Sequence, residues 1–369
     1  MSEGLHTPPV VETTSYWGIH LVASGCPSCG AAFLIQPGNE TGLCPACASR
    51  SLVAQPVRMR SEPPELLAPY EVDDGHAASL IANWTAGVWL RPPDFSANAL
   101  RSRLRRVYLP MWLVDGTVAG LWQAQAGFDY QVESATEIYS GGKWMTQKKV
   151  ETRVRWEARI GEIQISYQNV AAPALEEHGQ IIDGLGGYDT KKAQAYQQEA
   201  LRDAFVRIPD LEPDHAWSLA KPQFDRRAAQ DAQTAAGAQH LDRFRLEADY
   251  RDLNWTQLLL PAYATWYKDE NGRALPVWIN GQNGRILGVR RASQKAGWRI
   301  TGILAGIAFI AFLIAVLMNV AASVINTGAI AALFYAASAA LALGSPIPAV
   351  WAWQFNRSNP LPKPIHLQK

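Results

Sequence analysis

The C-terminal part of the chain contains 57 consecutive residues, Ile300–Asn356, without a charged side chain or a histidine. A helix needs about 20 mostly apolar residues to cross ~30 Å of hydrocarbon. The run therefore predicts two membrane spans, residues 300–320 and 328–351, joined by a turn at residues 321–327. A pair of buried core helices is the alternative, but core helices of globular domains rarely lack charged residues over such a length.

The residues that flank this run are basic on both sides, whereas the predicted turn carries no charge. The positive-inside rule places both flanks on the cytoplasmic face. The N-terminal residues show no basic start followed by an apolar core, so we expect no signal peptide. The sequence thus predicts a multi-pass protein of the inner (cytoplasmic) membrane with both termini in the cytoplasm. Four basic residues before the first span are candidates for contact with anionic lipid headgroups: Arg290, Arg291, Lys295 and Arg299.

Small residues recur inside both predicted spans. Gly302 and Gly306 form a GxxxG motif, and alanine or glycine occupies every fourth position from Ala332 to Gly344. This spacing lets helix backbones approach closely in lipid, either within one hairpin or between the helices of a homo- or hetero-oligomer. Pro346 and Pro348 predict that the second helix kinks or ends near the headgroups. Because the spans contain no ionisable residue, the sequence favours an anchor over a transporter or an ion path.

The four cysteines lie within 22 residues and form two CxxC pairs, Cys26 with Cys29 and Cys44 with Cys47. Two CxxC pairs at this spacing supply four thiolates that can surround Zn²⁺ as a tetrahedron. Two disulfides or a thioredoxin-like redox pair are the alternatives. A cytoplasmic location disfavours disulfides, and no βαβ pattern surrounds either pair. Since the protein fills all four positions, we expect a structural zinc rather than a catalytic one.

The predicted zinc-binding segment lacks the basic residues that nucleic-acid binding requires. Between Tyr16 and Leu52 the basic side chains are His20 and Arg50, and the net charge of the whole chain is +1. A nucleic-acid footprint needs clustered Lys and Arg. We therefore expect no nucleic acid among the partners of this protein.

The middle of the chain is predicted to be rich in strands. Residues 107–170 contain long stretches with strand-like alternation, broken by predicted turns at Asp115-Gly116, Ser140-Gly141-Gly142 and Gly161. Residues 190–205 and 222–241 read as helices, and strands return between residues 244 and 289. Two Asn-Gly pairs between these later strands are strong hairpin signals. The pattern predicts an antiparallel α+β fold.

The predicted organisation has six segments. They are a disordered N-terminus (1–15), a zinc ribbon (16–54), a linker (55–63), an antiparallel α+β cytoplasmic domain (64–298), a transmembrane helical hairpin (299–356) and a disordered tail (357–369).

Several segments resemble one bacterial family of zinc-ribbon membrane proteins with a transcription-factor-IIB-type ribbon. The resemblance covers about residues 20–300 and rests on CPSCG, CPAC, PELLAPYEVDDGHA, YLPMWLVDG, SGGKWMTQKKVETRVRW and LLLPAYATWYKDENGRALPVWINGQNGRILGVR, in the order that the family shows. The function of this family is poorly defined, but some members look like membrane partners of SPFH (flotillin-like) and phage-shock-type stress proteins. The resemblance implies partners of that kind at the cytoplasmic face and transfers no binding residues.

The sequence contains none of the common catalytic motifs. GxxxxGK[ST], GxSxG, GxGxxG and HExxH are all absent, and the seven histidines are scattered. We therefore expect a non-enzymatic, membrane-anchored adaptor or scaffold with lipids and other membrane-associated proteins as its partners. The alternative is a sensor of membrane state or anionic lipid that acts through the basic cluster before the first span. A third reading is a hydrolase with an unrecognised site.

Overall fold

The computed structural model describes residues 17–38, 43–55, 60, 62–321 and 327–361. The predicted disordered N-terminus lies outside the described residues, as do most of the predicted turn between the spans, parts of the predicted linker, and the tail from residue 362 onward. The described chain is a mixed α+β protein with an N-terminal cluster of four cysteines and two long apolar helical segments at its C-terminal end.

The strands are short at both ends of the chain and very long in the middle. In chain order they are β1 Val22–Gly25, β2 Ala32–Ile35, β3 Val53–Ala54, β4 Leu66–Leu67, β5 Arg105–Ser140, β6 Lys143–Pro173, β7 Gln194–Ala195, β8 Ala204–Arg207, β9 His240–Lys268, β10 Ala274–Asn280 and β11 Ile286–Gly288. The α-helices are α1 Asp74–Ala86, α2 Ala97–Ser102, α3 His178–Leu185, α4 Pro213–Ala236, α5 Gln294–Ala321, α6 Gly328–Gly344 and α7 Ile347–Ser358.

The chain divides into two compact units, and the first is assembled from three separate stretches. It comprises residues 1–110, 179–208 and 259–369, and the second unit comprises residues 111–178 and 209–258. The sheet of the first unit has the strand order β11-β10-β9-β5-β8-β2-β1-β3, to which β5 and β9 contribute one end each.

The sheet of the first unit is mixed, so the prediction of a purely antiparallel fold is wrong in this respect. β8 runs parallel to β5, with Arg106 opposite Ala204 and Tyr108 opposite Val206. A parallel pair needs a crossover connection of a dozen or more residues, and the segment between β6 and β8 provides it. Part of that segment, residues 190–205, was predicted to be helical. It instead forms two 3₁₀ turns, Thr190–Lys192 and Gln198–Leu201, with β7 between them.

The second unit is built on one long hairpin. β5 pairs with β6 from Met111 opposite Pro173 to Ser140 opposite Lys143. Gly141 and Gly142, at φ 61° and 81°, make the two-residue turn, which confirms the predicted hairpin. The other two predicted turns are wrong: the chain passes Asp115-Gly116 with only a bulge, and Gly161 lies inside β6.

The helix α4 packs against β6 in this unit through a row of small residues. Its buried side chains recur at every fourth position, and in an α-helix residues i and i+4 lie on the same face. They are Ala216, Ala220, Phe224, Ala228, Ala232 and Ala236. Their packing against strand residues such as Trp112, Val118 and Trp122 forms the core of the unit.

Two helical segments at the C-terminal end are long and apolar enough to cross a membrane, Gln294–Ala321 and Gly328–Ser358. The first contains 28 residues, which is ~42 Å of α-helix. The second is divided at Ser345-Pro346 into α6 and α7. The break lies at Pro346, the first of the two prolines from which a kink or an end of the second helix was predicted, while Pro348 lies in the first turn of α7.

Candidate functional site

The first CxxC pair lies in the turn between β1 and β2. Cys26 follows β1, and its backbone N–H donates a hydrogen bond to the carbonyl of Ala31 at 2.9 Å, while the N–H of Gly30 donates to the carbonyl of Cys26 at 2.9 Å. These bonds close a tight knuckle that turns both thiols to the same side. Gly30 has a φ of +74°, a conformation that glycine adopts without a steric penalty.

The second CxxC pair repeats this geometry in a different segment. The N–H of Cys44 donates to the carbonyl of Arg50, and the N–H of Ala48 donates to the carbonyl of Cys44, both at 2.8 Å. Ala48 follows Cys47 as Gly30 follows Cys29, and it also has a positive φ, 54°. An alanine in the left-handed region is strained, so the second knuckle depends on its hydrogen bonds and on the partners of its thiols.

The four thiols converge on one point. Cys26 Sγ lies 3.7 Å from Cys47 Sγ, and Cys29 Sγ lies 3.8 Å from Cys44 Sγ. All four sulfur atoms lie within 4.8 Å of one another. Thiolates at the corners of a tetrahedron with Zn–S distances of about 2.3 Å are about 3.8 Å apart. The donor set and its spacing therefore fit a metal such as zinc, and the four cysteines are free rather than paired in disulfides.

Crowding of the thiols changes their acidity in opposite directions. Hydrogen bonds from Cys29 and Cys44 lower the pKa of Cys47, and a contact of 2.8 Å with the Ser49 hydroxyl lowers it further. Hydrogen bonds with Cys29 and with Cys47 raise the pKa of Cys44, and burial adds to this effect. Four thiolates at this distance repel one another, so a divalent cation is needed before all of them lose their protons.

The strands that carry the cysteines are part of the sheet of the first unit. β2 pairs antiparallel with β8, with Phe33 opposite Arg207 and Leu34 opposite Val206. The buried guanidinium of Arg207 donates to the carbonyl of Ala32 at 3.2 Å, and Phe33 packs edge-on against Phe205. The cysteine cluster therefore lies at the end of a continuous sheet.

The residues predicted to meet lipid headgroups have different environments. The guanidinium of Arg291 is half-buried and donates to the carbonyls of Asn356 and Asn359, both at 3.0 Å. The ammonium of Lys295 donates to the carbonyl of Glu270 at 2.9 Å. Arg290 is half-buried, and Arg299 is exposed. Lys295 is exposed as well, as is the neighbouring Trp298, whereas the hydrogen bonds of Arg291 are internal to the fold.

Sequence reasoning missed the polar contacts at the base of the two apolar segments. The side chain of Asn356 is buried, accepts from the N–H of Ala292 at 2.8 Å and donates to the carbonyl of Ala292 at 2.9 Å. Glu270 Oε2 accepts from the Ser293 hydroxyl at 2.8 Å and from the N–H of Lys295 at 2.9 Å. The signal available in the sequence was Asn356 itself, the last residue of the uncharged run, because a buried amide side chain needs hydrogen-bond partners.

Comparison with known proteins adds no family to this description. No protein-family model, curated protein or solved structure matches the chain. The resemblance to zinc-ribbon membrane proteins therefore stays a prediction. The convergence of the four cysteines is the part of it that the geometry bears out.

Proposed function

We propose that this protein is a non-enzymatic, membrane-anchored adaptor that holds a zinc-ribbon α+β module at the cytoplasmic face of the inner membrane. The observation that carries the proposal is the firm attachment of the apolar helices to the sheet of the first unit. A flexible tether would serve an enzyme that has to reach scattered substrates. A fixed attachment suits a surface that has to be presented at one height and orientation above a bilayer.

The attachment begins with α7, which follows the second apolar segment and packs on the soluble core. Ala352 is fully buried there, and Trp351 and Phe355 pack against the cluster that contains Tyr267 and Val277. The Asn356 amide then closes two hydrogen bonds on the backbone of Ala292. A buried amide that loses such partners costs about 1–3 kcal/mol, so this contact fixes the end of the second helix to the start of the first.

The start of α5 is fixed by the turn between β9 and β10. Glu270 accepts hydrogen bonds from Ser293 and Lys295 at the first turn of the helix. A carboxylate at this position satisfies free N–H groups and interacts favourably with the helix dipole. The N–H of Ser293 also donates to the carbonyl of Leu90 at 2.7 Å. Both helices therefore leave the sheet from hydrogen-bonded positions.

The zinc in this proposal has a structural role. Four protein thiolates leave no open position for water or substrate. Its predicted effect is to hold β1, β2 and the second knuckle together at the end of the sheet. The proposed partners are membrane lipids and membrane-associated proteins, of SPFH or phage-shock type if the family resemblance carries over. Nucleic acid is not among the proposed partners.

Covalent capture from native membranes, followed by mass spectrometry, tests the adaptor proposal. We expect the wild-type protein to recover a defined membrane-associated protein, and Asn356→Ala to recover less of it because the module loses its fixed orientation. Gln354→Ala is the matched control, since Gln354 lies on the same helix and is exposed. Recovery of no partner, or equal recovery with both variants, would count against an adaptor with a fixed orientation.

The alternative function, an anionic-lipid sensor, is favoured by one observation. Trp298 is 67% exposed at the start of α5, beside the exposed Arg299. A basic residue near an anionic surface contributes about 1 kcal/mol. If the protein senses lipid, Arg299→Gln should reduce its preference for nanodiscs with phosphatidylglycerol over neutral ones. Arg291→Gln should instead lower thermal stability in either lipid, because its guanidinium bonds are internal. An unchanged preference in Arg299→Gln would contradict the sensor.

A further inference from the structure

The strand β6 has one edge without a partner in the described part of the chain. It contains 31 residues, pairs along its whole length with β5 and pairs with no other described strand. Its length is ~100 Å at ~3.3 Å per residue. Proteins normally protect such edges with charged side chains, prolines, bulges or short strands, because a long flat edge is a template for another strand. β6 contains no proline before Pro173, where the strand ends.

The turn of the hairpin decides which backbone groups point to the free edge. In a two-residue turn the N–H of the last residue, Lys143, points to the carbonyl of the first, Ser140. Residues of an antiparallel pair alternate between hydrogen-bonded and non-hydrogen-bonded positions, and the register from Lys143 to Tyr167 is uninterrupted. The N–H and C=O groups of even-numbered residues, such as Thr152 and Trp156, therefore point away from β5.

The two faces of β6 carry different chemistry beside this edge. One face presents exposed apolar side chains, with exposed fractions from 37% to 83%. They are Val150, Val154, Trp156 and Ile160. The other face presents charges of both signs in the order Glu151, Arg153, Arg155, Glu157 and Arg159, which form ion pairs along the strand. A partner strand has to match both patterns at once.

We infer that β6 pairs antiparallel with β6 of a second copy of this chain, about a two-fold axis at Arg155. A two-fold interface has to be self-complementary, so that each residue meets its match in both directions. With the axis at Arg155, Glu151 lies opposite Arg159 of the second copy, and Arg153 lies opposite Glu157 of the second copy. The two Arg155 side chains meet at the axis as one like-charge pair, which is flanked by four pairs of opposite charge. These residues fall at non-hydrogen-bonded positions of the new ladder, where opposing side chains are closest.

The apolar face matches in the same register. Val150 lies opposite Ile160 of the second copy, Val154 lies opposite Trp156 of the second copy, and Lys148 lies opposite Glu162 of the second copy. An axis at Val154 would instead oppose Glu151 with Glu157 and Arg153 with Arg155, which are like charges and destabilise a strand pair. The charge pattern therefore favours a second copy of the chain. An axis at Arg153 would also oppose unlike charges, Glu151 with Arg155 and Lys149 with Glu157, and the double charge exchange separates the two registers, because it restores the wild-type pairs only with the axis at Arg155.

Charge exchange in the full-length protein tests this pairing. Arg153→Glu would place a glutamate opposite Glu157 of the other copy, once on each side of the two-fold axis. Glu157→Arg would likewise place an arginine opposite Arg153 of the other copy on each side. We expect each variant to dimerise about tenfold more weakly, and the double variant to regain the wild-type constant because the opposite charges are restored. Sedimentation velocity in detergent measures the dissociation constants.

A backbone variant separates edge pairing from side-chain effects. The N–H of Thr152 points to the free edge, so Thr152→Pro removes a hydrogen bond of the proposed dimer while the β5–β6 ladder is kept. We expect this variant to be monomeric, with unchanged zinc content and circular dichroism. A monomeric wild type, or a dimer that survives Thr152→Pro and both charge reversals, would overturn the proposal and assign any association to another surface, such as the apolar helices.

Discussion

Gly161 illustrates how a single residue can be misread without its neighbours. A glycine between two apolar stretches predicts a turn, yet Gly161 lies inside β6 opposite Trp122. A Cβ atom at Gly161 would lie 2.6 Å from the indole ring of Trp122. The glycine therefore gives space to an aromatic ring on the neighbouring strand. Its role depends on a residue 39 positions earlier in the chain, so local sequence could not reveal it.

The cysteine cluster gives a prediction at the residue scale. Cys44→Ser replaces a buried candidate metal ligand with a hydroxyl, which binds zinc far more weakly than a thiolate. We expect the purified variant to lose most of its bound zinc and to melt at a lower temperature than the wild type. Elemental analysis and thermal unfolding measure the two effects.

Ser28→Ala is the control for this variant, because Ser28 lies between the cysteines of the first pair with an exposed side chain. It should keep the zinc and the melting temperature of the wild type. Full zinc occupancy in Cys44→Ser would mean that Cys44 is not a ligand.

The helix α4 shows what the sequence can predict for an element and what it cannot. The predicted helix covered residues 222–241 and so started at Pro222. In the structure Pro213 occupies that position, and Pro222 lies inside the helix. The row of buried side chains, which are alanines except for Phe224, runs from Ala216 to Ala236 and so begins before Pro222 and continues after it. Burial of this row against the strands of the second unit outweighs the local cost of the proline.

The alanine row of α4 gives a prediction at the element scale. Ala228 is fully buried against the strands, so Ala228→Leu should overpack the interface and destabilise the protein by about 1–3 kcal/mol. Ala235→Leu makes the same change at an exposed position of the same helix and should leave stability nearly unchanged. Chemical denaturation monitored by circular dichroism compares the two. Equal stabilities would mean that α4 does not pack closely on the sheet.

At the scale of the whole molecule, three segments that read as separate domains meet in the first unit. The ribbon strand β2 pairs with β8, and β8 pairs with β5. The base of the apolar helices packs on the core around Tyr263 and Tyr267. Tyr70 joins the layers of this unit, because its buried hydroxyl donates to the carbonyl of Ala262 at 2.8 Å. The candidate metal site and the candidate membrane helices therefore belong to one compact unit.

This arrangement predicts how far the effect of metal removal extends. Chelation of the metal should speed amide hydrogen exchange in β1, β2 and β8, because these strands share one ladder beside the cysteines. Exchange in α4, which belongs to the second unit, should not change. Exchange measured by mass spectrometry on the chelated and metal-loaded protein tests this. Faster exchange confined to the two knuckles would mean that the metal does not stabilise the sheet.

The sequence by itself predicted the features that depend on local composition and spacing. The uncharged run from Ile300 predicted helices long enough to span a membrane, because length and apolar character alone decide that property. Two CxxC pairs predicted a four-thiol cluster, and the glycine pair at Gly141 predicted the hairpin turn. Each of these signals lies within a short stretch of the chain.

Only the tertiary structure decided which distant segments meet. The parallel pairing of β5 with β8, the fit of Trp122 over Gly161 and the hydrogen bonds of Asn356 to Ala292 join residues far apart in sequence. Such contacts depend on the path of the chain between the segments, which no local pattern encodes. The apolar run therefore determined that the chain has helices suited to a membrane, and the buried amide of Asn356 determined that they are fixed to the sheet.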